Sequence, residues 1–129
     1  MPSNRLTEIP PTALAALTSL EELYLSHNDL TVIQGLDHSS RLRTLDVSNN
    51  RIAHLTNLKH LHQLEELWAS SNLLESFQEI EEELGGLEGL HTVYFEYNPL
   101  QKNAGATYRN KIRLLLKAIK QIDATFVRT

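Results

Sequence analysis

The sequence of 129 residues is 41% hydrophobic and 22% charged, and it contains no cysteine. This length is typical of one domain. The absence of cysteine excludes disulfides, thiolate metal sites and cysteine nucleophiles. No apolar run approaches the ~20 residues of a membrane helix, and the first residues are polar, so we expect a soluble, unsecreted protein.

Charge is distributed unevenly along the chain. Residues 1–100 carry 15 acidic and five basic residues, whereas residues 101–129 carry seven basic residues and one acidic residue, Asp123. The acidic body favours basic partners. The basic tail is either an ordinary solvated helix face or a surface that meets anions.

The chain begins with what we interpret as an incomplete repeat. Residues 3–9 match residues 27–33 position for position, and residues 10–17 combine two prolines with alanines and leucines that predict a short helix. Because no strand precedes this half-repeat, we expect residues 1–19 to be a partial unit. It would come from a fragment, or from a chain whose exposed end pairs with another element.

One frame, L-x-x-L-x-L-x-x-N-x-L, then recurs four times. Its asparagines are separated by 22, 22 and 26 residues, within the ~20–29 range of leucine-rich repeats. The pattern predicts one domain over residues 1–129, in which four repeats at 20–100 precede a C-terminal cap at 101–129. The expected fold is an α/β leucine-rich-repeat solenoid, with a right-handed curved parallel sheet and short convex helices or 3₁₀ turns.

The constant positions of the frame have physical reasons. Apolar residues alternate with polar ones at Leu23-x-Leu25 and its equivalents, which indicates a short strand with one buried face. A buried asparagine at the following turn can satisfy backbone groups that would otherwise lack partners. We therefore predict a structural ladder of four asparagines: Asn28, Asn50, Asn72 and Asn98.

The third repeat is longer, and its residues 78–84 predict a brief convex helix that ends at Gly85-Gly86. In the cap, five apolar residues follow helical spacing and predict a closing helix with Thr107 as its N-cap. These residues are Tyr108, Ile112, Leu115, Leu116 and Ile119. After the helix, Ile122, Phe126 and Val127 are expected to pack back onto the core.

Strand residues between the buried leucines are expected on the concave surface, where no other element covers them. The central row contains Tyr24, Asp46, Trp68 and Tyr94, and Glu66 lies one pleat away. Aromatic and acidic side chains in one patch are typical of a binding surface. The alternative is that the rings only pack across neighbouring strands and stiffen the sheet.

Several segments resemble the C-terminal part of the leucine-rich-repeat regulatory subunit of protein phosphatase type 1. The more specific ones are the Asn-Pro-Leu-Gln-Lys segment and the Gln-Ile-Asp-Ala-Thr-Phe-Val-Arg ending. The segments that carry the resemblance are residues 20–28, 65–68, 72–76, 92–94, 98–102 and 121–128.

This resemblance implies a non-catalytic scaffold, nuclear and cytoplasmic, that binds the phosphatase catalytic subunit through its concave face. Asp46, Glu66, Trp68 and Tyr94 stand where that family places contacts, and Tyr24 is added because it lies in the same row. The resemblance implies no cofactor, small-molecule substrate, membrane or direct nucleic-acid partner. The sequence departs from the family at the longer loop 103–106 and at Lys117, where proline is customary.

The sequence leaves two rival functions to consider, catalysis and a scaffold for an RNA–protein complex. Catalysis has little support, because the six histidines fall at unrelated repeat positions and no serine lies in a nucleophile elbow. A leucine-rich scaffold of an RNA–protein complex such as the spliceosome would suit the basic tail. Against it, the concave aromatics are not interleaved with lysine or arginine.

Overall fold

The computed structural model describes residues 18–127 and shows four coils stacked side by side, each adding one strand to a six-stranded sheet that a hairpin of the cap completes. The strands are β1 (Glu22–Tyr24), β2 (Thr44–Asp46), β3 (Glu66–Trp68), β4 (Thr92–Tyr94), β5 (Gln121–Ile122) and β6 (Thr125–Phe126). The helices are α1 (Phe77–Leu84), α2 (Pro99–Ala104) and α3 (Tyr108–Leu115), with a 3₁₀ turn at Gly105–Thr107. Within the described range, no helix has the length and apolar character needed to cross a membrane. The predicted half-repeat and helix at 3–17 lie outside the described residues.

Strand order follows the chain, and β1 to β4 are parallel and paired in register. The central residues Leu45, Leu67 and Val93 are fully buried, because every second side chain of a strand points to the same face. Their stack continues into β5 through Ile122, which pairs with Val93. The predicted leucine-rich-repeat architecture is therefore confirmed.

The asparagine ladder is also confirmed, and Asn50 shows how it works. Its Nδ2 donates to Val47 O in its own coil at 2.8 Å and to Leu25 O in the preceding coil at 3.0 Å. Its Oδ1 accepts from Leu30 N at 3.0 Å. Asn72 repeats the pattern one coil later, so each buried amide links two coils.

The residue before each ladder asparagine has a left-handed backbone. The φ angles are 58° at His27, 58° at Asn49, 57° at Ser71 and 63° at Tyr97. Such a conformation costs an ordinary L-residue about 1–2 kcal/mol, and asparagine tolerates it best among non-glycine residues. This left-handed residue lets the chain turn sharply at the end of each strand, despite its conformational cost.

The structure of each return segment depends on the length of its repeat. The two 22-residue repeats return through turns and bends, whereas the longer third repeat forms α1. Ser76 caps α1 by accepting from Glu79 N at 3.2 Å, and Ile80 and Leu84 are buried against the core. The helix ends before Gly85-Gly86, as predicted.

The longer loop before the closing helix is itself helical. Residues 103–106 form the end of α2 and the start of the 3₁₀ turn, which leads directly into α3. Thr107 makes no side-chain cap hydrogen bond to α3, and its hydroxyl donates back to Ala104 O at 2.8 Å. Tyr108 N donates to Gly105 O of the 3₁₀ turn, so the two helical segments are joined through backbone hydrogen bonds.

The closing helix is shorter than its apolar spacing predicts. It ends at Leu115, and Ile119 is buried from a turn rather than from the helix. Lys120 N and Gln121 N both donate to His91 O, at 2.7 and 3.0 Å. The open edge of β4 thus offers backbone hydrogen bonds, and the chain leaves the helix to add β5 there.

One expectation for the end of the chain is wrong. Ile122 packs into the core as predicted, but Phe126 is 72% exposed. Asp123 has a φ of 57°, and the turn that it begins returns the chain as the antiparallel strand β6. The aromatic ring of Phe126 consequently lies on the outer surface of the cap.

Candidate concave binding site

The parallel register of β1 to β4 brings the predicted site residues into one row. Tyr24 pairs with Asp46, Asp46 with Trp68, and Trp68 with Tyr94. Glu66 lies two residues before Trp68 on the same face of β3. All five predicted residues therefore lie on one surface. The Tyr24 side chain is 39% exposed there, so the described part of the chain leaves it accessible to a partner.

The three aromatic rings of the row form a cluster centred on Trp68. The indole centroid lies 6.0 Å from the Tyr24 ring and 6.0 Å from the Tyr94 ring. Tyr24 and Trp68 are two strands apart, a separation of about 9.6 Å at the backbone. Their rings therefore lean toward each other above β2, where Asp46 is the short side chain between them. Tilted pairs at this distance stabilise one another, so the rings also stiffen the sheet.

Asp46 lies beneath this cluster and is only 8% exposed. Its Oδ1 accepts a hydrogen bond from Ser48 N at 2.9 Å. The structure thus places a carboxylate under the rings, where Asp46 helps hold the backbone after β2.

Carboxylates one pleat away hold the polar atoms of the rings. The Tyr24 hydroxyl donates to Glu22 Oε1 at 2.8 Å, and Trp68 Nε1 donates to Glu66 Oε1 at 3.2 Å. The hydrogen bond to Glu22 raises the pKa of Tyr24, with smaller contributions from desolvation and the charges of Glu22, Glu66 and Asp46. The rings are thus oriented before any partner arrives.

The concave face of the four repeats is acidic and contains no lysine or arginine in its described rows. The rows are Glu22, Thr44, Glu66 and Thr92; then Tyr24, Asp46, Trp68 and Tyr94; then Ser26, Ser48, Ser70 and Glu96. Desolvation, with the nearby charge of Asp123, raises the pKa of Glu96. Such a surface suits a partner that presents basic groups around an apolar patch.

Two of the four lysine and arginine residues in the described repeat body, Arg43 and Arg51, form ion pairs outside the concave rows. Arg43 lies within 3.0 Å of Glu65 and 3.5 Å of Glu21, and Arg51 lies 3.9 Å from Asp29. The hydrogen bond from Arg43 lowers the pKa of Glu65. These ion pairs lie at exposed positions outside the concave rows, so they do not neutralise the carboxylates of the concave face.

A shallow hollow of about 230 Å³ lies beside the cluster, lined by Ser48, Trp68 and Tyr94. It can receive one partner side chain between the indole and the phenol. The concave surface therefore combines projecting rings with a receiving site.

Sequence reasoning missed two residues at the end of the sheet. Gln121 donates to the Tyr94 hydroxyl at 2.9 Å, which extends the concave row into β5. Asp123 Oδ1 accepts from Phe95 N at 2.9 Å and Glu96 N at 3.0 Å. The signal was present in the segment Gln121-Ile122-Asp123, in which Ile122 occupies the buried position of a further, truncated strand.

Asp123 also joins the sheet to the closing helix. Its Oδ2 accepts from the Tyr108 hydroxyl at 2.9 Å. Burial, followed by the negative charge of Asp123 and this hydrogen bond, raises the pKa of Tyr108 far above its usual value. The hydroxyl therefore remains protonated and acts as a permanent donor.

The histidines do not assemble a reactive site. His54 faces Glu79 at 2.9 Å, His60 contacts Leu36 O at 2.9 Å, and His91 contacts the Thr92 hydroxyl at 2.8 Å. Among residues 18–127, no group of three histidine, aspartate or glutamate side chains is arranged to hold a metal ion.

Comparisons with known proteins identify the class. A leucine-rich-repeat family model matches residues 2–52, and a model of two leucine-rich repeats matches residues 40–82. In the Drosophila melanogaster SNF/U2A′ complex, a chain of 24% identity aligns with a TM-score of 0.86, covering 100% of this chain and 73% of that one. Internalin C2 of Listeria monocytogenes aligns at 26% identity and a TM-score of 0.73, covering 95% of this chain and 49% of that one. The chain has the leucine-rich-repeat fold.

Within that class, the resemblance to regulatory subunits of protein phosphatase type 1 is confirmed. The chain is 62% identical over 73 residues to the protein phosphatase 1 regulatory subunit SDS22 of Schizosaccharomyces pombe, which covers 57% of this chain and 22% of that protein. It is 57% identical over 56 residues to protein phosphatase 1 regulatory subunit 7 of Xenopus tropicalis, covering 43% and 15%. The human protein of the same name is 54% identical over 56 residues, with the same coverage. The chain thus spans less than a quarter of these relatives' lengths, and their names describe regulatory subunits rather than enzymes.

Proposed function

We propose that this chain is a non-catalytic interaction module that binds the catalytic subunit of protein phosphatase type 1 through its concave face. The ring cluster of Tyr24, Trp68 and Tyr94 on an acidic surface is the observation that carries the proposal. The proposed contact residues are Tyr24, Asp46, Glu66, Trp68 and Tyr94. Residence in the nucleus and cytoplasm belongs to the same proposal.

The relatives' names support the choice of partner. Their similarity to this chain falls within proteins called regulatory subunits of protein phosphatase 1, and the match to the fission-yeast protein includes more than half of this chain. The acidic rows support it physically, because interfaces gain specificity and association rate when opposite potentials meet. Basic side chains on the phosphatase would face Glu22 and Glu66.

The three rings would supply most of the binding energy. Trp68 lies between two tyrosines at 6.0 Å on each side, and its indole N–H is already bonded to Glu66. A preorganised ring loses little conformational freedom on binding. Central tryptophans of this kind cost about 2 kcal/mol or more when they are truncated.

The test is a binding measurement with purified phosphatase catalytic subunit. Trp68→Ala is expected to weaken the complex about thirtyfold or more, which corresponds to that 2 kcal/mol. Leu73→Ala is the matched control, because Leu73 is a 49% exposed apolar residue that follows the asparagine turn rather than lying in a concave row. Thermal melting of both variants verifies that they are folded. Equal affinities for Trp68→Ala and the parent chain would disprove the proposal.

The alternative, a scaffold for an RNA–protein complex, makes a different prediction. Direct RNA binding would weaken steeply with salt, because phosphates release counterions when lysine or arginine neutralises them. The acidic concave rows argue against it. The structural likeness to the SNF/U2A′ complex is a likeness of fold. A flat salt dependence of any residual RNA binding would remove this alternative.

A further inference from the structure

We propose that the C-terminal cap carries a second docking surface, which binds an acidic peptide segment with an apolar anchor side chain. This surface is distinct from the concave face, and we call it the cap hollow. It has a volume of about 260 Å³ and lies between α3 and the β5–β6 hairpin. Its lining residues are Arg109, Asn110, Arg113, Thr125, Phe126 and Val127.

The wall of the cap hollow offers an apolar anchor point. Phe126 is 72% exposed, although burying an aromatic side chain of this size is favourable. Val127 lies next to it and is half-buried. An aliphatic or aromatic side chain of a partner would cover Phe126 and gain this apolar area.

Two arginines stand beside that wall on one face of the helix. Arg109 and Arg113 are four residues apart, so their side chains emerge one turn apart. Arg109 Nη1 donates to Ile122 O at 2.9 Å, and Nη2 approaches Thr125 O at 3.4 Å. The hairpin thus holds this guanidinium in place. A planar guanidinium matches the geometry of a carboxylate and can bind it with two parallel hydrogen bonds.

The charge of the cap hollow is uncompensated within the described chain. Neither Arg109 nor Arg113 lies within ion-pair distance of a carboxylate in residues 18–127. The positive charge therefore identifies the complementary partner as acidic. The adjacent exposed ring adds a requirement for an apolar side chain near the acids.

A peptide fits these features better than a nucleic acid does. The hollow has a single exposed ring, whereas single strands of nucleic acid bind along several stacking rings in a continuous basic groove. The neighbouring repeat body carries a large excess of carboxylates, which would repel an extended polyanion. A short acidic segment engages the two arginines without crossing the body.

The experiment selects peptides with the full chain. A phage-displayed library of random dodecapeptides is panned on the immobilised protein, and the enriched sequences are read. The proposal predicts aspartate or glutamate on either side of leucine, isoleucine or phenylalanine. The strongest peptide is then labelled and its affinity measured by fluorescence polarisation.

Four variants locate the binding site of that peptide. Arg113→Gln and Phe126→Ser each remove one feature of the hollow and are expected to weaken binding about tenfold. Lys117→Gln removes the same charge as Arg113→Gln outside the hollow and should change the affinity less than about twofold. Trp68→Ala should also leave peptide affinity unchanged, which separates this surface from the proposed phosphatase site. Circular dichroism verifies that all four variants are folded.

Three results would overturn the proposal. One is a selection without an acidic and apolar consensus. Another is a selected peptide that binds Arg113→Gln and Phe126→Ser as tightly as it binds the parent. The third is a labelled oligouridine that binds as tightly as the peptide and loses affinity in the same two variants, since the surface would then be a nucleic-acid site.

Discussion

The fourth repeat and the cap satisfy buried backbone groups with different side chains. In the repeat body, Asn98 Oδ1 accepts from Asn72 N and Leu74 N, while its Nδ2 donates to Ala69 O and Phe95 O. At the end of the stack, a carboxylate replaces the amide. Asp123 accepts from two backbone amides of the last full repeat and from a phenol of the closing helix.

This difference shows what an end of a solenoid requires. An internal coil must satisfy both donors and acceptors of its neighbours, and an amide side chain can do both. At the end of the sheet, Asp123 meets only donors, so an acceptor with two oxygens fits better. The carboxylate then carries a charge-assisted hydrogen bond to each partner, which an amide would not supply.

Asp123→Ala should therefore produce the largest loss of stability. The substitution leaves Phe95 N, Glu96 N and the buried Tyr108 hydroxyl without their acceptor. We expect the free energy of unfolding to fall by about 3–5 kcal/mol, because each of these unsatisfied groups costs about 1–3 kcal/mol. Urea denaturation followed by circular dichroism measures it.

Asp123→Asn is the matched control for that variant. Asparagine keeps one oxygen for the two backbone amides, and the Tyr108 hydroxyl can rotate to accept from its NH₂ group. The loss should be less than half of that for alanine. Equal losses in the two variants would mean that charge, rather than acceptor geometry, holds the cap.

How far sequence reasoning reaches differs between these two regions. The body is periodic, so the frame alone located β1 to β4, the asparagine ladder and the concave row. The cap is aperiodic, and the apolar spacing from Tyr108 to Ile119 predicted a longer helix than the structure contains. Apolar spacing predicts which residues are buried, and Ile119 is indeed buried. It does not predict whether a buried residue lies in a helix or in a turn.

The concave site shows a similar limit. Register in the sheet made the row of Tyr24, Asp46, Trp68 and Tyr94 predictable, because strands one repeat apart pair residue by residue. The burial of Asp46 was not predictable, since it depends on rotamers that bring rings from β1 and β3 together above β2. Contacts of this kind belong to side-chain packing rather than to the repeat pattern.

Asn50→Ala tests the body side of the comparison and should have an intermediate effect. It removes an acceptor for Leu30 N and donors to Leu25 O and Val47 O. We expect unfolding to become easier by about 1–3 kcal/mol, less than for Asp123→Ala because no charged hydrogen bond is lost. The melting temperature, measured by calorimetry, reports the change.

Asn50→Asp sharpens the same test. The carboxylate keeps the acceptor oxygen but replaces the donor NH₂ group with a second oxygen, which would face the carbonyls of Leu25, Val47 and Ser48. It should destabilise at least as much as alanine at pH 7. If both variants melt with the parent, the ladder does not hold the coils together.

Ser71→Gly should have the smallest effect and the opposite sign. Ser71 has a φ of 57°, and glycine adopts this left-handed conformation without the cost that a Cβ imposes. Glycine also gives the unfolded chain more freedom, so the net gain is expected to be about 0.5 kcal/mol and no more than about 1 kcal/mol.

Ser70→Gly, one residue earlier, serves as the control for Ser71→Gly. That position has no left-handed backbone to relieve, so glycine there should lower the stability by about 0.5–1 kcal/mol. Chemical denaturation of the two variants side by side measures the difference. The same loss at both positions would show that the sharp exit from each strand carries no backbone strain, and the cost would then lie elsewhere in the turn.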